Sequence, residues 1–169
     1  MKKPVLIQLF LFFFTSVLIS AQPRIMIGEV SGSVEFRVNS DSKWQPAKAE
    51  ILLESDFEIV TGFASSASII YGNTKIELRA LTKIILRNIE ITISKEGTKK
   101  HLFLFELVLG RIRAEVMPEE TGETVVIARS KTALCKAAGT FFEFDGYNAW
   151  VERGRALLIK NNGERYFVE

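Results

Sequence analysis

The sequence predicts an all-β domain of many short, mostly antiparallel strands, arranged as a β-sandwich, a β-roll or an irregular solenoid-like body. Three observations carry this. Apolar residues recur at every second position along most of the chain, and β-branched or aromatic residues dominate those positions. Turn-forming residues interrupt these runs at short and roughly regular spacing. Only Lys99 to Leu109 resembles a helix, and its β-rich flanks argue against one.

The elements follow in order. Val30, Gly32, Val34, Phe36 and Val38 alternate with polar neighbours, which reads as one half-buried strand ending in the turn Asn39-Ser40-Asp41-Ser42-Lys43. Trp44 restarts the chain, and Lys48 to Ile51 leads to a turn around Glu54-Ser55-Asp56. Phe57 to Thr61, Ala67 to Tyr71, Lys75 to Leu81 and Lys83 to Ile93 read as successive strands, separated at Thr61-Gly62, Gly72-Asn73 and Leu81-Thr82. The polar stretch Lys95 to Lys100 joins the last of these to His101 to Leu109 as a hairpin with a longer loop. Leu102 to Leu109 is apolar at both parities, so it is expected as a central strand covered on both faces. Gly110 ends it and Arg111 to Val116 resumes alternation, before a polar loop from Met117 to Glu123 that is expected to be mobile. Six shorter segments follow: 124–128, 132–135, 140–144, 149–152, 156–160 and 166–168. Neither a linker nor a second domain interrupts them.

Residues 1–21 read differently. Lys2 and Lys3 precede an apolar run from Val5 to Ile19, and Ala21 supplies a small residue for cleavage, so 1–21 is expected to be a signal peptide and 22–169 the mature domain. The competing reading is an uncleaved anchor, because the run is near the lower limit for spanning a bilayer. Contact with a membrane is expected only through this segment, if it is retained. Its removal takes away two lysines and no acid, leaving 20 basic and 20 acidic residues. A neutral exported chain has no electrostatic footprint for nucleic acid. With Cys135 as the single cysteine, no internal disulfide can form, and stability must come from burial.

Two motifs stand out. Leu53-Glu54-Ser55-Asp56-Phe57-Glu58-Ile59-Val60-Thr61-Gly62 lies early, and Gly139-Thr140-Phe141-Phe142-Glu143-Phe144 lies some eighty residues later. Together with Val30 to Val34, Trp44, Gly72, Ile76, Leu78, Leu107 and Gly110, they resemble the periplasmic FecR domain, whose patterns are roughly Leu-x-x-Gly-Asp-x-Ile-x-Thr-Gly and Val-Arg-Gly-Thr-x-Phe-x-Val. The resemblance spans about Ile27 to Ile159. Ser55 departs from the usual glycine, and Ala137-Ala138 replaces Val-Arg. Carried over by position, it marks Asp56, Thr61, Gly62, Gly72, Gly110, Gly139, Thr140 and Phe142 as structural motif residues. It implies an all-β module outside the cytoplasm with a capacity for protein contact. Regulators of that family carry an anti-sigma segment before their membrane helix. Here only Met1, Lys2 and Lys3 precede the apolar run, so no sigma factor is expected to be held.

No arrangement of residues suggests an enzyme, a cofactor or a metal site. His101 is the only histidine and reads as a solvated loop residue, which leaves a catalytic triad or a His-rich metal site without support. Asp56 and Asp145 sit at turns, where short carboxylates accept backbone N–H groups. Cys135 lies among small and apolar residues and reads as an inert core thiol, with Lys136 on the opposite face. Gly139 is expected at positive φ or at a close strand approach, with Thr140, Phe142 and Phe144 sharing the buried face of the next strand. Gly163 is placed in a surface turn expected to accept alanine more readily. The function expected is that of a binding or scaffolding module contacting an envelope protein. The alternative is a polysaccharide or peptidoglycan binder, for which Trp44, Tyr147 and Trp150 are the candidate platform.

Overall fold

The chain, in a computed structural model that describes residues 24–53, 56–93, 99–118 and 122–169, folds into two large β-sheets with no helix among the described residues. The seven-stranded sheet is ordered β14 (Ala149–Arg153), β13 (Phe141–Phe144), β10 (Ile112–Val116), β7 (Thr74–Leu78), β6 (Ser66–Tyr71), β1 (Ile25–Ser31) and β4 (Leu52–Leu53). The nine-stranded sheet is ordered β16 (Arg165–Val168), β15 (Ala156–Lys160), β12 (Ala133–Ala138), β11 (Gly122–Arg129), β9 (Lys99–Leu109), β8 (Lys83–Ile93), β5 (Glu58–Thr61), β2 (Val34–Arg37) and β3 (Gln45–Pro46). The expected all-β class is therefore present, and of the three architectures left open by the sequence the two sheets form the sandwich-like one. The expected leader, residues 1–21, and residues 119–121 of the expected mobile loop between Met117 and Glu123 lie outside the described residues.

The chain alternates between the two sheets, and its long hairpins bend across both. β5 continues into β6 and returns through β7 and β8, so that β6 pairs with β7 in one sheet while β5 pairs with β8 in the other. At the bend, Thr61 N–H donates to Thr82 O (2.9 Å) and Thr82 N–H donates to Thr61 Oγ1 (2.9 Å), while Thr61 Oγ1 donates to Arg79 O (2.6 Å). These bonds satisfy backbone groups that lose their sheet partners where a strand changes layer. The neighbouring bends dock on this one. Gly62 N–H donates to Ser33 O (2.8 Å), and Thr82 Oγ1 donates to Arg111 O and accepts from Arg111 N–H, both at 3.0 Å.

A second set of bends sits at β12/β13 and β14/β15. Thr140 Oγ1 lies 2.8 Å from Ala138 O and 3.0 Å from Arg155 O, tying the two together. β9, β10 and β11 connect the two sets. β10 crosses the seven-stranded sheet between two strands of the nine-stranded one, so the chain returns in its starting direction. That makes β9 and β11 the only parallel pair among the described strands.

Between the sheets lies one continuous core. Phe57, Phe103, Phe105, Phe142 and Phe144 are fully buried, and burying a side chain of this size contributes about 1.5–3 kcal/mol each. Thr140, Phe142 and Phe144 share the buried face of β13 and its approach, with Phe141 and Glu143 on the other side.

Two expectations about the strands are corrected. The single strand read from Val30 to Val38 is two strands in different sheets, because Gly32 at φ +75° turns the chain at a bend and alternation simply resumes beyond it. Between Trp44 and the turn at Asp56 the chain pairs at Gln45–Pro46 and Leu52–Leu53. β9 is central, as expected, but only its inner residues His101, Phe103, Phe105 and Leu107 are buried, whereas Leu102, Leu104 and Val108 on its outer face are only partly covered.

Candidate functional site

The motif residues hold the bends and the core. Thr61, Gly62 and Gly110 sit at the first set of bends, and Gly139 with Thr140 at the second. Gly72, at φ +53°, forms the two-residue turn between β6 and β7 with Asn73. Asp56 is exposed at φ +65°, and Phe142 is wholly buried. Gly139 has φ +60° but only Pro118 near the space a Cβ would fill, so conformation rather than crowding sets its identity there. Gly163 also has a positive φ, +88°, in open space; alanine there meets backbone strain without a clash.

The remaining candidates for chemistry do not converge. His101 is corrected from a loop to a core residue: it is 5% exposed, and its Nδ1 lies 2.7 Å from Tyr71 Oη. Tyr71 in turn stacks on Phe103 with ring centroids 5.4 Å apart. The period-two pattern running back from Leu107 through Phe105 and Phe103 places His101 inward, a signal that the preceding Lys99-Lys100 masks. Asp145 Oδ1 accepts the N–H groups of Tyr147 (2.9 Å) and Asn148 (2.7 Å), a turn role. Among the described residues, no group of three or more His, Cys, Asp or Glu could hold a metal ion.

Cys135 is fully buried on β12 with Lys136 exposed beside it, and burial pushes its thiol up to about 12. The thiolate is the reactive form, so the native protein is expected to resist maleimide labelling at neutral pH and to react fully once denatured. Rapid labelling of the native protein would place Cys135 elsewhere.

The two ends of the sandwich differ, and this difference defines the candidate site. At the end formed by β3 and β4, each edge strand has two residues, and Pro46 offers no N–H for pairing. The chain around them is tied inward: Ala47 N–H donates to Val34 O (2.8 Å) and Glu50 N–H to Ile27 O (2.7 Å). At the opposite end the edges are β14 and β16, with five and four residues, and each pairs on one side only.

Aromatic side chains stand exposed there: Tyr147 at 58%, Trp150 at 45% and Tyr166 at 44%. Arg111 lies 4.9 Å over the Trp150 ring and Lys160 Nζ 3.3 Å over Tyr147, contacts that hold the rings in place. Tyr166 Oη donates to Glu164 Oε2 (2.7 Å), a bond that holds the phenol above its ordinary range. Trp44 is not part of this group. It is half-buried at the other end, with Arg37 at 4.8 Å and Lys83 at 5.4 Å over its ring. The expected three-ring platform is thus two rings, Tyr147 and Trp150, joined by Tyr166, which sequence reading passed over as an ordinary strand residue. No protein family, curated protein or solved structure matches this chain.

Proposed function

We propose that the chain is an exported, non-enzymatic, FecR-like module that works in the periplasm or outside the cell by binding a protein of the envelope. The observation that carries this reading is the open end of the sandwich. Exposed strand edges are ready templates for a further strand, and natural sheets usually blunt them. Here one end is blunted by two-residue strands and a proline, whereas the other keeps two unpaired edges side by side. Strand addition would supply affinity through main-chain hydrogen bonds, and Trp150 and Tyr166 would supply the anchors on which specificity depends. The exposure of Tyr147 and Trp150, three residues apart on one edge, also supports polysaccharide binding as the second reading.

The test uses biotinylated protein comprising residues 22–169 to capture partners from envelope extract, alongside sedimentation with cell-wall sacculi. A specific protein retained by the parent and by Lys75→Gln, but lost from Trp150→Asp and Tyr166→Asp, is the expected result. Sedimentation with sacculi and no protein capture would replace this reading with the second one.

A further inference from the structure

The outer faces of the two sheets are opposites. On the seven-stranded sheet the cations are matched by acids: Lys75 pairs with Glu29 and Glu77, Arg79 and Arg111 with Glu143, Arg113 with Glu152, and Arg153 with Glu115. On the nine-stranded sheet the register places Leu104, Ile127, Lys136, Leu157 and Phe167 in one row across β9, β11, β12, β15 and β16. The next row runs Glu106, Arg129, Leu134, Ile159 and Arg165, with Glu106 held by Arg87 of β8 at 3.2 Å. Phe167 is 69% exposed. Among the described residues, none of Arg129, Lys136 and Arg165 has a carboxylate at ion-pair distance, in contrast to Lys100 with Glu123 (2.6 Å) and Arg155 with Glu169 on the same side. Beside Lys136 and Phe167 the surface sinks into a groove of about 300 Å³, lined by Val125, Ala138 and Leu157 with Lys100, Glu123 and Arg155 at its rim.

We propose that this face is a docking surface for an anionic lipid bilayer, with the groove taking a phosphate headgroup and Phe167 entering the acyl boundary. At 4.8 Å between strands and about 3.4 Å per residue, two rows over five strands span roughly 20 by 7 Å between Cα positions, more than half of them apolar. Isolated apolar side chains on a surface need no explanation, but a contiguous field holding three unmatched cations does. The charge selects the occupant. A second copy related by a two-fold axis would set these cations against a face whose acids, Glu106, Glu123 and Glu169, are already held by Arg87, Lys100 and Arg155. A bilayer with anionic headgroups meets both the apolar field and the charge, as other interfacial surfaces do. This inference does not depend on the strand-edge reading, which uses β14 and Tyr166.

The experiment is co-sedimentation of residues 22–169 with vesicles of phosphatidylcholine alone and of an equal mixture with phosphatidylglycerol. Binding is expected only to the mixture and should weaken as salt is raised. Lys136→Gln should weaken it about five-fold, and the triple change to glutamine at Arg129, Lys136 and Arg165 roughly a hundred-fold. Phe167→Ser should also weaken it, while Lys75→Gln, which removes the same charge from the opposite face, should leave it unchanged. Each variant is first shown by circular dichroism to melt with the parent. Equal loss from Lys75→Gln would overturn the proposal in favour of net charge alone. Displacement by inorganic phosphate at matched ionic strength would overturn it in favour of a small-anion site. Failure to bind the mixed vesicles, or equal binding to phosphatidylcholine, would remove it altogether.

Discussion

Alanine in place of Gly110 is expected to cost about 3–5 kcal/mol, the largest effect of any single methyl group in this protein. Gly110 has φ +91°, and a Cβ there would stand 2.5 Å from Thr82 Cα and 2.6 Å from Leu81 O. Both neighbours are backbone, and Leu81 is itself held at φ +54°, so neither can move without opening the bend. Left-handed backbone strain for a residue with a Cβ accounts for about 1–2 kcal/mol, and overpacking for the remainder. Against a total stability on the order of 5–15 kcal/mol, the melting temperature should fall by roughly 10 °C or more. Gly163→Ala separates the two contributions, because it meets the same strain in open space and should lose only about 1–2 kcal/mol. Equal melting temperatures for the two variants in a circular-dichroism scan would show that the β7/β8 and β9/β10 bends are not packed as described.

The second large effect is expected at Glu58. Its side chain is 8% exposed on the outer face of β5, with Oε1 2.8 Å from Arg37 Nη2 and Oε2 2.8 Å from Lys83 Nζ. Removing one partner of a buried ion pair strands the others, so Glu58→Ala should cost about 3–5 kcal/mol. Burial alone would raise the carboxyl, but the hydrogen bonds and charges of Arg37 and Lys83 prevail and hold it below its ordinary value of 4.5. A carboxyl lowered by folding contributes stability that is full above its unfolded value and is lost as pH falls through the folded one. Urea midpoints should therefore separate the parent from Glu58→Gln at neutral pH, and the gap should close below about pH 4.5. A gap that persists undiminished at pH 3 would mean that the pair contributes nothing through its charge.

Period-two alternation was enough to read the class and most strands, because each strand buries one face against the other sheet. Its blind spot is the bend. Val30 to Val38 alternates without interruption, although Gly32 sends the two halves into different sheets. The positive φ expected at Gly139 is present, yet the tighter sites, Gly110 and Gly32, could not be ranked above it, since crowding depends on which bend lies alongside. The parallel pairing of β9 with β11 was hidden for the same reason: it follows from β10 crossing the other sheet, a tertiary fact. Leu102 to Leu109 shows the limit most clearly. Residues apolar at both parities were read as covered on both faces, but the outer leucines are partly open, shielded only by neighbours in their own sheet. The open end escaped notice because nothing in Arg165 to Val168 distinguishes an edge strand from an interior one.

Strand order in both sheets follows chain order almost throughout, from β1 to β6 at one end to β14 to β16 at the other. Position in the chain is therefore close to a coordinate along the molecule. Each new bent hairpin closes against the one made just before it, so the loops to be closed are short and their entropic cost small for an all-β protein. A chain that emerges N-terminus first during synthesis can build its sandwich from the blunted end before the rest has appeared. The growing edge stays unpaired only until the next hairpin arrives, which limits the time in which another chain could pair with it.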